Sequence, residues 1–168
     1  LSEVSDKAII IKQSIFEPYG LASVFSKNKT KKISSGIIPN QKKQSFVEKA
    51  MLWIRGNVFI PDARVFWVKP SVKFLKKYLQ ENQIDTIITT GPPHSLHLIG
   101  LQLKKELNIT WLADFRDPWT TIGYHKQLKL SSWAAKKHKA LEKDVMMTCD
   151  QLLVTSPTTK TEFQAITS

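Results

Sequence analysis

The sequence is poor in cysteine and has no long apolar run. Its single cysteine, Cys149, excludes an internal disulfide and the paired cysteines of structural zinc sites. No run approaches the roughly 20 apolar residues that span a bilayer. Residues 1–7 carry charges where a secretory signal peptide needs an apolar stretch. We therefore expect a soluble protein in a reducing compartment, the cytoplasm.

Acidic residues are also scarce. The 168 residues include 25 Lys and Arg against 14 Asp and Glu, which gives a formal net charge of +11. This balance favours an anionic partner, such as phosphate, nucleic acid or an acidic lipid surface, but does not choose among them. A chain of this length with 42% hydrophobic residues can bury one ordinary core, so residues 1–168 are predicted to form a single domain.

The first quarter of the chain combines a short apolar run with a long polar segment. Residues 8–12, AIIIK, are rich in β-branched side chains and predict a strand, which Pro18 and Gly20 follow. Residues 26–44 cannot bury enough apolar area to offset the entropy of ordering them. We interpret this segment as a mobile loop; an arm that grips phosphate is the alternative.

Two helices are predicted in the next part of the chain. The apolar stripe of the first consists of Phe46, Ala50, Trp53 and Ile54. A second stripe over residues 65–79 is interrupted by Pro70, where we expect a new helix to begin, with its end near Asn82. Arg64 lies between the two helices, where it faces either solvent or a ligand, and we include it among the expected substrate-binding residues.

The rest of the chain alternates between β-branched runs and helical patterns. The runs cover residues 85–90, 109–114 and 151–156. A helix is predicted over residues 132–148, and Pro157 opens another. The stripe that we expect the 132–148 helix to bury consists of Trp133, Ala140, Leu141 and Val145.

This alternation predicts a Rossmann-like α/β fold, in which a parallel sheet is flanked by helices and joined by right-handed crossovers. Ligands of such sheets bind beyond the carboxyl ends of the strands. Three polar segments follow those ends: TTGPPH (89–94), DFRDPW (114–119) and TSP (155–157). We therefore expect these segments to lie along one edge and to form a ligand-binding site.

The segment TGPPHS turns from the first run into a helix. Gly91 permits a tight turn, and the two prolines after it restrict the backbone before a helix that starts near His94. Because a helix start offers free N–H groups and partial positive charge, we expect Gly91, Pro92, His94 and Ser95 to bind an anionic substrate. A capping turn that uses the Ser95 hydroxyl is the alternative. His94 and His97 lack the further ligands of a zinc site, so no metal is predicted.

The segment ADFRDPW carries the densest set of charges. Asp117 or Asp114 can act as a general base or accept a hydrogen bond from a sugar hydroxyl, beside the fixed cation Arg116. An internal ion pair that caps the loop is the alternative. Two aspartates also suit Mg²⁺, but no phosphate-loop glycines stand nearby.

The segments TGPPHSLHLIGLQLKKELNITWLADFRDPW and WIRGNVFIPDARVFWVKPSVKFLKKYLQENQID resemble the acceptor-side, N-terminal domain of bacterial glycosyltransferase family 4 proteins with the GT-B architecture. The similarity covers residues 46–156, and the combination of TGPPHS with ADFRDPW is its specific part. Arg116 and Asp117 match positions where related enzymes place active-site polar residues. His94 and Ser95 match the neighbouring loop.

The resemblance implies a retaining transferase of the hexosyltransferase type, active in polysaccharide biosynthesis. Such an enzyme moves a sugar from a nucleotide-activated donor to a carbohydrate or lipid-linked acceptor, without a required metal or cofactor. In that family a second Rossmann-like domain holds most of the donor. This sequence has only 6 glycines, begins partway along the family pattern and stops before that domain. We therefore expect an acceptor-domain fragment that lacks turnover on its own.

The positive charge has two further interpretations. Lys136, Lys137 and Lys139 could rest on anionic lipid at the inner face of the cell membrane, where a polyprenyl-linked acceptor resides. A solvated helix face is the alternative. A basic nucleic-acid-binding α/β domain is the competing function class. Because Trp53 and Trp133 fall on apolar stripes, we expect them in the core and expect no nucleic-acid partner.

Overall fold

The computed structural model describes residues 8–15, 46–123 and 125–167. The predicted mobile loop at residues 26–44 lies outside the described residues. Two short 3-10 turns, at Val65–Trp67 and His125–Leu128, precede the second and the fourth of the five helices in the described residues. The strands are β1 (Thr86–Gly91), β2 (Thr110–Phe115) and β3 (Gln151–Val154), and the helices are α1 (Phe46–Asn57), α2 (Val68–Glu81), α3 (Ser95–Glu106), α4 (Ser132–Thr148) and α5 (Pro157–Thr167).

The strands form a parallel sheet in the order β1-β2-β3. Gly91 pairs with Phe115, and Phe115 pairs with Val154, so the three strands end level with one another. Helix α3 connects β1 to β2, and α4 connects β2 to β3. Right-handed crossovers that move in one direction place their helices on the same face of a sheet. The predicted α/β architecture, a parallel sheet with flanking helices, is confirmed.

Side chains alternate across the sheet. Trp111, Ala113 and Phe115 of β2 are completely buried in a core to which α2, α3, α4 and α5 contribute. On the opposite side, which we call the open face, Ile88 of β1 is 63% exposed and Leu153 of β3 is 45% exposed. Parallel sheets are usually covered on both faces. Here the described helices bury only one.

Helix boundaries agree closely with the sequence signals. Ser131 is the N-cap of α4, and its hydroxyl accepts a hydrogen bond from a first-turn N–H (3.2 Å). Pro157 is the first residue of α5, as predicted, and Asn82 is the C-cap of α2. Helix α2 begins at Val68 and not at Pro70, because a proline in the first turn lacks only an N–H that has no intrahelical partner.

The strand predicted at residues 8–12 does not form. Residues 8–15 have no regular secondary structure. A β-branched run forms a strand only where it can pair and pack. None of the described strands pairs with this segment, and Ile9 is 80% exposed.

The buried face of α1 is not the predicted one. Phe46 is 86% exposed and Trp53 is 48% exposed, whereas Leu52 is buried. The physical reason is Gly56, where a Cβ would lie within 3.0 Å of the Leu130 side chain. This close approach turns the face with Gly56 inward and leaves the predicted stripe outside.

The buried face of α4 also differs from the prediction. Val145 is buried as expected, but Trp133 is 66% exposed and Ala140 is exposed as well. The helix instead buries His138 and Glu142. Both polar side chains have hydrogen-bond partners in the interior, which allows them to be buried. The spacing of hydrophobic residues alone therefore predicts the wrong buried side for this helix.

Helix α3 packs on β2 through a glycine. A Cβ at Gly100 would lie within 3.0 Å of the Trp111 indole. The indole cannot move aside easily, because it is completely buried and its Nε1–H donates to Thr89 Oγ1 (2.9 Å). Gly100 is therefore required by this close approach of helix and strand.

Gly100→Ala should lower the free energy of unfolding by about 2 kcal/mol, because overpacking a tight core outweighs the better helix propensity of alanine. Gly123→Ala is the matched control, since a Cβ there would meet nothing within 4 Å, and its effect should stay below about 0.5 kcal/mol. Urea unfolding measures both. Equal stability of the two variants would contradict the packing described here.

Candidate functional site

The carboxyl ends of the three strands lie side by side. The Arg116 N–H, directly after β2, donates a hydrogen bond to the Gly91 carbonyl at the end of β1 (3.1 Å). The Thr155 hydroxyl, directly after β3, donates to the Arg116 carbonyl (2.9 Å). The TGPPHS, ADFRDPW and TSP segments therefore share one edge, as the sequence predicts.

The charged residues of ADFRDPW remain accessible at this edge. Asp114 is half-buried on the open face and pairs in register with Thr90, while Arg116 and Asp117 are exposed. Within the described ranges, no hydrogen bond or ion pair engages the side chains of these three residues. The internal ion pair that the sequence also allowed does not form there. We call Asp114, Arg116 and Asp117, together with the exposed Pro92, the edge site.

The start of α3 already holds a carboxylate. His94 is the N-cap residue, close to the predicted start. The Ser95 N–H and hydroxyl donate to the two carboxylate oxygens of Asp62, at 2.9 and 3.0 Å. The Arg64 N–H donates to Asp62 as well (2.9 Å), which places Arg64 beside this corner. An anion at a helix start is favourable, and here the chain itself supplies that anion.

Gly91 allows the corner to close over the histidines. Gly91 is buried, and a Cβ there would come within 3.0 Å of the His97 imidazole. Ser95 is completely buried and His94 nearly so. Of the predicted substrate-binding residues of TGPPHS, only Pro92 faces the solvent; Gly91, His94 and Ser95 lie directly behind it.

Asp62→Ala should lower the free energy of unfolding by about 1–2 kcal/mol, the usual cost of removing a helix N-cap, because the buried Ser95 N–H loses its acceptor. Asp85→Ala is the matched control. Its exposed carboxylate accepts a hydrogen bond from the adjacent Thr86 hydroxyl, and its loss should cost less than about 0.5 kcal/mol. Urea unfolding of both variants checks the difference; equal losses would contradict the capping role.

All four histidines of the chain lie in one buried group behind the edge. His94 and His97 form one pair, with ring centroids 5.9 Å apart, and His125 and His138 form another at 4.7 Å. Trp119, which ends the ADFRDPW segment, joins the pairs. Its indole stacks on His94 at 5.0 Å and meets His138 edge-on at 6.2 Å.

A hydrogen-bond chain connects His97 to the sheet. The Trp111 Nε1–H donates to Thr89 Oγ1 (2.9 Å), and the same hydroxyl shares a hydrogen bond with His97 Nδ1 (2.9 Å). The other ring nitrogen, Nε2, has no partner among the described residues. Burial lowers the pKa of His97 to about 4, so the ring is neutral at pH 7.

His94 has the least satisfied side chain of the group. It is 4% exposed, and neither ring nitrogen has a hydrogen-bond partner in the part of the chain that the structure describes. Burial, followed by the charges of His97, His125 and His138, lowers the pKa of His94 to about 3. A neutral imidazole offers one donor and one acceptor, here just inside the edge site.

Helix α4 anchors the segment after β2. The Trp119 and Thr120 N–H groups donate to Glu142 Oε1, at 3.2 and 3.0 Å, and the Thr120 hydroxyl donates to Oε2. The Trp119 Nε1–H donates to His138 Nδ1 (3.1 Å), so His138 Nε2–H donates to the Gly56 carbonyl (3.1 Å). Burial raises the pKa of Glu142 and lowers the pKa of His138. Trp119 is thus held inside while Asp117, two residues earlier, stays outside.

The free energy of unfolding should fall as the pH drops below about 6.5. The pKa values of His94, His97 and His125 lie at about 3, 4 and 4 in the folded protein, so these rings stay neutral while the unfolded chain takes up protons. Each ring removes about 1.4 kcal/mol of stability per pH unit in that window. Glu142, whose pKa is raised, acts in the opposite sense. Urea unfolding across this pH range measures the slope.

The substitution His94→Phe measures how much one histidine of this group contributes to the pH dependence of stability. Phenylalanine keeps an aromatic ring against Trp119 and removes two unpartnered nitrogens, so stability at neutral pH should not fall. The slope below pH 6.5 should become shallower by about 1.4 kcal/mol per pH unit. An unchanged slope would show that His94 is not held neutral.

A cavity of ≈ 470 Å³ lies beside β1. Apolar side chains of α2, β1 and α3 form most of its wall, and Ile11 and Gln13 also reach it. Two lining atoms, Trp67 Nε1 and Ser71 Oγ, have no hydrogen-bond partner among the described residues. None of the charged edge-site residues lines this cavity.

The described residues contain no group of three or more His, Cys, Asp and Glu side chains that could hold a metal ion. In the same ranges, no helix is long and apolar enough to cross a membrane. No protein-family model, curated protein or solved structure matches this chain. The function is therefore inferred from the edge site itself.

Three residues that shape the site were missed in the sequence: Asp62, His138 and Glu142. Trp119 belongs to a segment expected at the edge, but its side chain is buried behind it. Asp62 caps a helix 33 residues away, and no local pattern marks that contact. His138 and Glu142 did carry a signal. They lie four residues apart, at helical spacing from Ala134 and Val145, so all four share one face of α4.

Proposed function

We propose that this chain is the acceptor-side part of a retaining glycosyltransferase with the GT-B architecture. The enzyme would move a hexose from a nucleotide-activated donor to a carbohydrate or lipid-linked acceptor in polysaccharide biosynthesis. The observation that carries the proposal is the shared edge at which Gly91, Arg116 and Thr155 meet. Open α/β sheets bind ligands at this edge, and here it joins the two motifs whose combination resembles glycosyltransferase family 4.

In this proposal the edge-site charges contact the substrates. Arg116 directs a fixed positive charge towards the departing nucleotide diphosphate, where negative charge develops in the transition state. Asp117, or Asp114 on the open face, orients the acceptor hydroxyl by accepting a hydrogen bond from it, and the hydroxyl proton passes to the departing diphosphate as the new glycosidic bond forms. Neither role needs a metal or a cofactor.

Two carboxylates behind the edge site, the half-buried Asp62 and the buried Glu142, support these roles. Asp62 fixes the start of α3, and Glu142 fixes the backbone of Trp119 and Thr120. A site that is held by packed and hydrogen-bonded neighbours loses less entropy when it binds a ligand. The edge site therefore has a rigid base although its own charged side chains are free to meet substrate.

Donor binding requires a second half. The family resemblance implies that another Rossmann-like domain holds most of the nucleotide sugar. Without it the donor cannot be held in attack geometry, so this chain alone should show no turnover. We place the complete enzyme in the cytoplasm, at the inner face of the cell membrane.

One observation favours a second function class. Trp53 and Trp133 are 48% and 66% exposed, not in the core as expected. Exposed aromatic rings among lysines suit stacking on nucleic-acid bases. A basic nucleic-acid-binding domain would bind RNA or DNA with an affinity that falls steeply as salt rises, and it would not need Asp117.

Transfer is tested with the complete natural polypeptide that contains this chain, supplied with radiolabelled nucleotide-hexoses and bacterial lipid-linked acceptors. Asp117→Asn and Arg116→Ala should each lower the rate about 100-fold or more, with unchanged circular dichroism. Asp85→Asn is the matched control, because Asp85 is an exposed carboxylate just before β1, at the opposite edge of the sheet. Its rate should equal that of the unsubstituted enzyme.

Full transfer in both edge-site variants would remove the site assignment. Absence of any transfer in the unsubstituted protein, together with salt-sensitive binding of RNA or DNA that Asp117→Asn leaves unchanged, would favour the nucleic-acid function instead.

A further inference from the structure

The solvent-facing side of α4 carries an apolar stripe. Trp133, Ala140 and Met147 are spaced seven residues apart, so they line up along one side of the helix. All three are exposed, Trp133 at 66% and Met147 at 59%. The helix packs on the core with a different side, which includes Ala134 and Val145. The stripe is therefore not a product of core packing.

Lysines border this stripe on both sides. At 100° per residue, Lys136 and Lys143 fall on one side of it and Lys137 on the other. All three are exposed, and no ion pair engages them within the described ranges. Asp144 also lies on this face, but it pairs with Lys105 (2.8 Å). The face combines exposed apolar surface with uncompensated positive charge.

The end of α1 lies beside the start of α4. The Asn57 side chain accepts a hydrogen bond from the Ser131 N–H (2.7 Å) and donates one to the Lys129 carbonyl (3.3 Å). These bonds fix the end of α1 beside the start of α4. There Trp53 of α1 is 48% exposed, and Val58, directly after α1, is 58% exposed.

We propose that this face of α4, with the adjoining end of α1, binds the surface of a membrane that contains anionic phospholipids. Tryptophan favours the boundary between headgroups and acyl chains, and lysines bind anionic headgroups while their stems cover apolar surface. The 17 residues of α4 form a helix about 25 Å long, which lies flat on the bilayer and does not cross it. The net charge of +11 adds long-range attraction.

The position of this surface suits a lipid-linked acceptor. As a crossover between parallel strands, α4 runs antiparallel to them, so Trp133 near its start lies towards the edge site. An acceptor that is anchored in the bilayer would thus be presented close to Arg116 and Asp117. This consequence rests on the proposed transferase function, whereas lipid binding itself does not.

Lipid binding is tested with the chain itself and sedimented vesicles of mixed phosphatidylglycerol and phosphatidylcholine, compared with vesicles of phosphatidylcholine alone. We expect binding to the anionic vesicles that weakens at high salt. The double variant Lys136→Gln and Lys143→Gln should weaken it on the order of twentyfold, because each lysine near the surface contributes roughly a fivefold factor. The control double variant, Lys69→Gln and Lys73→Gln on α2, removes the same charge from exposed positions elsewhere and should weaken binding less than about twofold.

Trp133→Ala tests the apolar part of the surface, with Ile88→Ala as the matched control because Ile88 is 63% exposed on the open face. Trp133→Ala should weaken vesicle binding several-fold and reduce the blue shift of tryptophan fluorescence, while Ile88→Ala changes neither. Equal losses in the two lysine pairs would overturn the proposal. So would stronger binding to nucleic acid than to vesicles, or a dimer that Trp133→Ala dissociates. If the complete enzyme transfers sugar normally to a water-soluble acceptor but does not bind vesicles, the membrane-binding surface is refuted, whereas the proposed transferase function stands.

Discussion

The Thr89 hydroxyl is the contact on which the site geometry depends. It accepts a hydrogen bond from the Trp111 indole N–H and shares another with His97 Nδ1, so one buried oxygen connects β1, β2 and α3. Gly100 lets the indole approach α3 closely enough for this to happen. The parallel ladder sets Gly91 level with Phe115, so the TGPPHS corner meets the ADFRDPW segment. The Thr89 contact holds α3, which starts at that corner, against both strands.

The edge has an outer layer of charged side chains and an inner layer of neutral rings. Outside lie charged side chains without partners in the described residues, Arg116 and Asp117; inside lie imidazoles that burial keeps neutral. Burying four histidines costs stability at acidic pH and leaves polar atoms unsatisfied. The rings add no net charge behind the outer side chains, and the charge inside this corner comes from the Asp62 carboxylate at the start of α3.

Periodicity was enough to predict the sheet and most helix boundaries, since β-branched runs and proline or serine caps act locally. It failed where a contact is distant in sequence or where a helix has more than one apolar side. Trp133 and Val145 both lie on apolar stripes of α4, and only packing against Trp119 and Gly56 decides which side is buried. Asp62 likewise acts on a helix far along the chain. The AIIIK run shows that propensity without a partner strand does not make a strand.

The exposed position of Trp133 on α4 also helps to decide whether this surface binds a membrane or a nucleic acid. Single-stranded nucleic acids bind in grooves, where bases enter between aromatic rings and the backbone follows a line of cations. Trp133 and Met147 instead stand on the outer, convex side of a helix, with lysines on both flanks of a continuous apolar line. A flexible methionine offers no stacking surface, yet it inserts readily among acyl chains. The geometry of the stripe therefore matches a flat apolar and anionic surface better than a strand of bases.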